Sequence, residues 1–330
     1  METPQKPQPI PPPPGMFNAI KTGLDVISSH LSILLLPLAL DSLLWFGPRL
    51  SVRAVMTSFF DQVVALNVQN NLPVTDLLAN KDKFIEKLSQ FNLFSILRTF
   101  PVGVSSLIAG NLTLENPLGA QSIVEVGSAA SLFGWLILLT FIGWILGGLY
   151  FNWVSGVIGN RETSYGYGRT VLQTVLFSLT ITAVTFMIGI PVMFLMGILG
   201  LISPGILQVA MFILALISVW IVVPIFFAPL GIYLRGQNAF HSIYASVRMA
   251  RFTLPTSSMF VLAVFVISQG LNYLWAVPAD SSWMRLVGIT GHAFVTTALL
   301  ASSFIYYRDL NIWLETVFER LKPGTAAPQT

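Results

Sequence analysis

The sequence predicts an all-α integral membrane protein with six transmembrane helices, interfacial amphipathic helices and one long helical extracytoplasmic loop. Of the 330 residues, 54% are hydrophobic and only 9% are charged, whereas soluble domains carry roughly 25% charged residues. The stretch from Thr170 to Leu234 contains no Asp, Glu, Lys, Arg or His. Because a bilayer crossing takes about 20 helical residues, this stretch is long enough for two spans. Gly200 and the Ser-Pro-Gly sequence at 203–205 provide the turn between them.

The chain is organised as one polytopic membrane domain, residues 16–322, between two tails. The first tail, residues 1–15, is rich in proline and is expected to be disordered. It is not a signal peptide, because the first apolar run begins only near Leu31 and no cleavage site follows. The second tail covers residues 323–330. The predicted spans are residues 30–46, 131–157, 171–199, 206–234, 257–277 and 284–306.

Three amphipathic helices are expected at the membrane interface beside these spans. The first covers 16–29, with Phe17, Ile20, Leu24 and Ile27 as its apolar stripe. The second covers 235–255 and precedes the fifth span. The third follows the sixth span and ends at the Pro-Gly pair 323–324. Its apolar stripe comprises Leu310, Trp313, Leu314, Val317, Phe318 and Leu321.

The long loop, residues 47–129, is expected to contain two further amphipathic helices. One has its apolar stripe within 56–64 and the other within 84–91, with the sequence 70–73 between them. Residues 91–110 are apolar enough for a span, but Arg98 and Pro101 lie at their middle. A charge there costs about 2.5–3.5 kcal/mol on insertion scales. We therefore predict that 91–110 packs on the membrane surface rather than forming a seventh span.

The distribution of Lys and Arg predicts that both termini are cytoplasmic. Only Arg285 lies in the short outer turns, and the charges of the long loop count little because long loops translocate largely regardless of charge. The inner segments hold Lys6, Lys21, Arg161, Arg169, Arg235, Arg248, Arg251, Arg308, Arg320 and Lys322.

Two ionisable residues at membrane depth are the candidate intramembrane site, because such residues are costly in lipid. They are Asp41 in the first span and His292 in the sixth. If they face each other, they form a proton relay or a substrate-binding pair. The favoured interpretation is that backbone groups or hydroxyls such as Thr290, Thr296 and Thr297 satisfy each one. In the other alternative, Asp41 lies near enough to the outer surface to reach water.

Small and basic residues indicate two further kinds of contact. Gly143 with Gly147, and Gly288 with Gly291, allow helix backbones to approach closely. The basic helix at 235–255 is expected to contact anionic lipid headgroups, each cation near such a surface contributing about 1 kcal/mol. The cations that make these contacts are Arg235, Arg248 and Arg251.

Several classes of function are not indicated by the sequence. There is no cysteine, no metal-binding spacing, and no phosphate-binding or nucleophile-elbow motif. No cofactor and no metal are therefore expected. The net charge of +3 lacks the basic patch of a nucleic-acid-binding surface. The expected partners are membrane lipids, with a membrane protein or a second copy as a further possibility.

One segment resembles a known family. The sequence Asn-Ala-Phe-His-Ser-Ile at 238–243, continuing through Ser-Val-Arg at 246–248 into the fifth span, is similar to six-span bacterial membrane proteins. These are related to the membrane domain that precedes some glycerophosphodiester phosphodiesterases. The resemblance covers about a quarter of the chain and implies a six-helix domain of the cytoplasmic (inner) membrane. The catalytic barrel of that family is absent, so its hydrolytic activity does not transfer.

The function expected from these features is that of a non-enzymatic scaffold, accessory subunit or envelope-homeostasis factor that acts through lipid or protein contacts. The alternative is a transporter or permease for a small or lipidic substrate, which interrupted helices and intramembrane Asp and His would fit. An intramembrane enzyme is the least favoured interpretation, because no Ser or Thr in the sequence is singled out as a nucleophile.

Overall fold

The protein was analysed as a computed structural model that describes residues 11–110, 115–159 and 166–321. It is about 80% helical. The described α-helices are α1 (Met16–Ser28), α2 (Leu35–Phe46), α3 (Arg53–Gln69), α4 (Thr75–Ser89), α5 (Ala129–Ile158), α6 (Tyr167–Ile202), α7 (Pro204–Leu234), α8 (Ala239–Trp275) and α9 (Arg285–Leu321). Short strands are β1 (Arg49–Ser51), β2 (Glu115–Asn116), β3 (Gly119–Ala120) and β4 (Ile123–Glu125).

Five helices, α5 to α9, are long and apolar enough to cross a membrane. A sixth crossing exists only if α1 and residues 31–46 form one span, and these two parts are bent by 90°. With 12 residues, α2 is about 18 Å long, which is shorter than the roughly 30 Å hydrocarbon core. Together with the 3₁₀ turn Leu31–Leu34 before it, α2 covers the first predicted span, 30–46, whose crossing of a membrane stays a prediction.

The hairpin predicted for the charge-free stretch is confirmed. The helices α6 and α7 meet at Ser203, whose extended backbone ends one helix and precedes the other. Pro224 and Pro229 lie inside α7 without interrupting it. Ser246 of α8 donates a hydrogen bond to the Pro224 carbonyl at 2.7 Å. This hydrogen bond joins α8 to α7 beside the first of the two prolines.

Two predicted helix boundaries are wrong. The interfacial helix at 235–255 and the fifth span are one helix, α8, which continues through Pro255 and begins only after Arg235. The sixth span and the third amphipathic helix are also one helix, α9, of 37 residues. In both places the side-chain polarity changes while the backbone stays helical, because hydropathy reports the surroundings of a helix and not its ends.

The first amphipathic helix packs on α9 through a face that was not predicted. Ala19, Gly23 and Ile27 are its buried residues, whereas Phe17 and Leu24 of the predicted stripe are exposed. A Cβ atom on Gly23 would lie 2.7 Å from the Ala298 carbonyl oxygen of α9. Two small residues and Ile27 therefore form this interface, whereas Phe17 and Leu24 remain exposed.

Residues 47–90 and 115–128 contain two helices and four short strands, and we call these residues the cap. The two amphipathic helices predicted there are confirmed as α3 and α4, with the rings of Phe60 and Phe84 5.1 Å apart. Strand β1 pairs in parallel with β4, and β2 with β3 as a hairpin. These strands are a small departure from the all-α prediction. Residues 91–110, predicted to lie on the membrane surface, pack against α2, α5 and α9. Their depth in a membrane stays a prediction.

The core of the bundle lies where α7, α8 and α9 meet. Phe260 and Tyr306 stack at 4.1 Å with their rings 3° from parallel, and Phe227 lies 6.2 Å from Phe260. All three side chains are almost completely buried. Stacked aromatic pairs add about 0.5–1.5 kcal/mol beyond the area that they bury, so this cluster fixes the three helices relative to one another.

Candidate functional site

The central feature of the bundle is a largely non-helical stretch of chain, residues 92–110, which we call the inserted segment. It contains two short 3₁₀ turns, Leu93–Leu97 and Ile108–Gly110, and irregular backbone between them. A Cβ atom on Gly143 of α5 would lie 2.8 Å from the Leu97 carbonyl oxygen. One on Gly147 would lie 2.7 Å from the Gly103 Cα. The two glycines predicted to pack helix on helix thus admit irregular backbone to the middle of α5.

Asp41 holds this segment in place. Its side chain is completely buried. One carboxylate oxygen accepts a hydrogen bond from the Leu107 amide at 3.1 Å, and the other accepts one from the Ile108 amide at 3.1 Å. The Ser106 hydroxyl also donates to Asp41. Buried irregular backbone has no water to bond, so the carboxylate replaces that water.

Other polar side chains attach the rest of the inserted segment. Asn92 accepts hydrogen bonds from the amides of Phe94, at 3.1 Å, and Leu50, at 3.2 Å. The indole of Trp144 donates to the Phe100 carbonyl at 3.1 Å. The hydroxyl of Ser105 bonds that of Thr296 in α9 at 2.7 Å. The segment is therefore tied to the cap, to α5 and to α9.

Sequence reasoning missed these partners. The signal present was the pair Ser105–Ser106 in an apolar stretch that Pro101 and Gly103 prevent from being a regular helix. Such a stretch, if placed at membrane depth, needs donors and acceptors from elsewhere in the chain. Asp41, the intramembrane residue already singled out, is that acceptor.

His292 is buried in α9 but is not joined to Asp41. No described residue forms a hydrogen bond with its Nε2 atom, and no described hydrogen bond links its ring to Asp41. Thr296 does bond to it, at 2.7 Å, but to the backbone carbonyl and not to the ring. The two candidates therefore do not form a pair.

For Asp41, the structure agrees with the type of hydrogen-bond partner that the sequence predicted but not with the residues named for it. Its partners are one hydroxyl and two backbone amides, as expected, but they come from the inserted segment. Thr290 and Thr297, which were named as possible partners, donate instead to the carbonyls of Leu286, at 2.8 Å, and Ala293, at 2.5 Å. The alternative in which Asp41 reaches water is wrong, because its side chain has no exposed surface.

The second predicted glycine pair accommodates an indole ring. A Cβ atom on Gly291 would lie 2.6 Å from the Trp275 ring, and one on Gly288 would lie 3.3 Å from the Trp275 carbonyl carbon. These glycines therefore allow the end of α8 to approach the beginning of α9. Their role is close packing, as expected, and what they pack against is the Trp275 side chain and the end of α8.

A cavity of about 370 Å³, which we call the lateral cavity, lies beneath the inserted segment. Phe100 and Pro101 form one wall, and α5, α7, α8 and α9 form the others. Its lining is apolar except for three hydroxyl side chains, Ser268, Thr296 and Ser303. The lining residues are Phe100, Pro101, Phe151, Val222, Ile225, Phe226, Pro229, Leu230, Val264, Ser268, Thr296, Leu299, Leu300 and Ser303.

A second cavity, of about 310 Å³, lies between the first half of α8 and the last part of α9, and we call it the basic cavity. Arg235 and Arg248 both line it, whereas Arg251 does not. Arg235 forms an ion pair with Glu315 at 2.9 Å. The sequence grouped three arginines as headgroup contacts, and the structure places two of them around one cavity.

No protein-family model, curated protein or solved structure matches this chain. The resemblance to the phosphodiesterase membrane domain therefore stays a prediction. Among the described residues, no group of three or more His, Asp or Glu side chains is arranged to hold a metal ion. The arguments below rest on the contacts within the chain.

Proposed function

We propose that this protein is a six-span, non-enzymatic component of the bacterial cytoplasmic (inner) membrane that acts through lipid or protein contacts. In this proposal it is a scaffold, an accessory subunit or an envelope-homeostasis factor. In addition to the five long helices α5 to α9, the bent unit formed by α1 and residues 31–46 supplies the first span along the chain. Membrane lipids are its partners, together with a membrane protein or a second copy of the chain.

The observation that supports the proposal is that the Asp41 carboxylate binds the backbone of the inserted segment. Both of its oxygens accept hydrogen bonds from the inserted segment, so the carboxylate has a structural role. A proton relay or an ion pathway needs an acid that can exchange protons or ligands with water. Asp41 is completely buried, which supports a dry bundle in place of a pathway.

The proposed orientation has both termini in the cytoplasm. In the described part of the chain, Lys21, Arg169 and the arginines of the basic cavity lie on the proposed inner side. Arg285 at the outer turn is buried and lies 3.1 Å from Asp280, so its charge is paired. Lys6, Arg161 and Lys322, which also support this orientation, lie outside the described residues.

Single-cysteine labelling tests the dry bundle, because the chain has no cysteine of its own. We expect His292→Cys to remain unlabelled by a membrane-impermeant maleimide applied to either side. Ser58→Cys on the exposed surface of α3 is the reactive control and should be labelled from outside. Labelling of position 292, with the protein folded by size-exclusion chromatography, would show that water reaches the interior and would overturn the proposal.

The second candidate function is transport of a lipidic substrate. The lateral cavity favours it, because the cavity contains hydroxyl groups in an apolar lining. Thr296 in that lining lies one helical turn from the unpartnered ring nitrogen of His292. Transport predicts that Thr296→Cys is labelled from both sides, whereas labelling from neither side contradicts it.

A further inference from the structure

The basic cavity carries an excess of positive charge on the residues that line it. Arg235 donates to Asn311 and to Glu315, both at 2.9 Å, so its charge is balanced by one carboxylate. Arg248 has no hydrogen-bond or ion-pair partner among the described residues, and His241 also lines the cavity. The arrangement leaves one uncompensated guanidinium, which matches a ligand with a single negative charge.

One wall of the basic cavity is apolar. The rings of Phe252 and Phe318 lie 5.2 Å apart in an edge-to-face arrangement, and both line the cavity. Tyr244, Met249 and Leu314 extend this wall. A freely soluble phosphate ester would gain nothing from it, whereas the glycerol backbone and acyl chains of a lipid would cover it.

We propose that the basic cavity is a specific site for a phospholipid with a net negative headgroup, of the phosphatidylglycerol type. Arg248 binds the phosphate with its planar guanidinium, and His241 lies beside it. The acyl chains lie along Phe252 and Phe318. This inference rests on the proposed function, since it names the lipid and the site through which the protein acts.

The test measures the stabilisation of the purified, delipidated full chain by added lipid, since a ligand of the folded state raises the melting temperature with its concentration. Phosphatidylglycerol in mixed micelles should give a saturable shift, and phosphatidylcholine a much smaller one. Arg248→Gln should weaken the affinity for phosphatidylglycerol about tenfold or more. The affinity of Arg248→Lys for phosphatidylglycerol should lie between the affinities of the native chain and Arg248→Gln, because Lys keeps the charge but loses the bidentate geometry.

Arg251→Gln is the matched control, because it removes the same charge from the same helix but lies outside the cavity. It should bind phosphatidylglycerol like the native chain. Equal losses in Arg248→Gln and Arg251→Gln would indicate general surface attraction and overturn the site. Glycerol 3-phosphate or inorganic phosphate binding as tightly as the lipid would overturn the choice of a lipid as occupant.

The exposed side chain of His241 offers a second variant if Arg248→Gln fails to fold. His241→Ala should weaken phosphatidylglycerol binding severalfold while leaving the ligand-free melting temperature unchanged, and unaltered binding would contradict the proposal. The labelling of position 292 reports separately on the dry bundle. Loss of the lipid site with position 292 unlabelled would reject this inference alone.

Discussion

Asp41 illustrates how a single side chain allows irregular backbone inside a membrane protein. Two consecutive amides, those of Leu107 and Ile108, point at its two oxygens. In the interior of a helix such amides would bond to carbonyls four residues earlier, but these two stand at the start of a single 3₁₀ turn, where amides lack that partner. A carboxylate is suited to this position because both of its oxygens only accept, whereas the amide of Asn would direct a donor at a donor.

Removal of this carboxylate should therefore destabilise the protein strongly. We expect Asp41→Ala to lower the free energy of unfolding by about 3 kcal/mol, because it leaves buried donors without acceptors. Asp41→Asn keeps one accepting oxygen and should lose roughly half as much. Thermal unfolding in detergent measures both. Asp25→Asn, on the exposed side of α1, is the control, and its free energy of unfolding should stay within about 0.5 kcal/mol of the native value. If Asp41→Ala lost no more stability than this control, the anchoring role of Asp41 would be contradicted.

At this scale the sequence indicated the residue but not its partners. Asp41 and His292 stand out because ionisable groups are rare in lipid, and that argument needs no structure. The groups that satisfy Asp41 belong to 106–108, and no local spacing rule relates them to it. The same limit explains Arg248, whose separation from Arg251 depends on which face of α8 meets α9.

The long helices show what hydropathy can and cannot determine about an element. The turn between α6 and α7 at Ser203 followed from Pro, Gly and the length of the charge-free stretch. The boundaries within α8 and α9 did not, because Pro255 and Arg308 mark a change of surroundings inside a continuous helix. The inserted segment is the converse case, since an apolar stretch is buried without being a span.

The fit between α5 and the inserted segment can be tested with two glycines of the same helix. Gly147 is in contact with Gly103, whereas Gly134 has open space where a Cβ would lie. Ala is favoured over Gly in a helix by about 1 kcal/mol, so Gly134→Ala should be neutral or slightly stabilising. Gly147→Ala should instead destabilise by about 1–3 kcal/mol, because the backbone of the segment must move.

Melting temperatures of the two variants, measured in the same detergent, give the comparison. Opposite signs at the two positions are the expected outcome, and limited proteolysis of Gly147→Ala should cut within 92–110 sooner than in the native chain. If Gly147→Ala were as stable as Gly134→Ala, the close approach of the segment to α5 would be wrong.

In the molecule as a whole, packing is distributed unevenly. None of the most apolar 18-residue window of α6 is buried, compared with 56% of that of α9. No residue between Thr182 and Val222 is buried, although these residues form most of the hairpin. With 36 residues, α6 is about 54 Å long, well beyond the roughly 30 Å hydrocarbon core. The hairpin therefore leaves most of its apolar surface uncovered by the rest of the described chain, and α6 is longer than a perpendicular crossing of the hydrocarbon core requires.

Orientation is the property of the whole chain that the basic residues are proposed to set. Replacement of Arg235, Arg248 and Arg251 by Gln should invert the protein or reduce its membrane yield, because the loops beside the spans then lose their excess of positive charge. The ion pair of Arg235 with Glu315 does not complicate this expectation. Both partners are exposed, and such pairs contribute only about 0–1 kcal/mol to stability.

The matched control removes three charges from the long loop, at Lys81, Lys83 and Lys87 of α4. Long loops translocate largely regardless of charge, so this variant should insert normally. Labelling of Ser58→Cys from outside reports the orientation in both backgrounds. Native orientation and yield in the arginine variant would show that the arginines do not direct insertion, and the role of Arg235 and Arg248 would then be confined to the basic cavity.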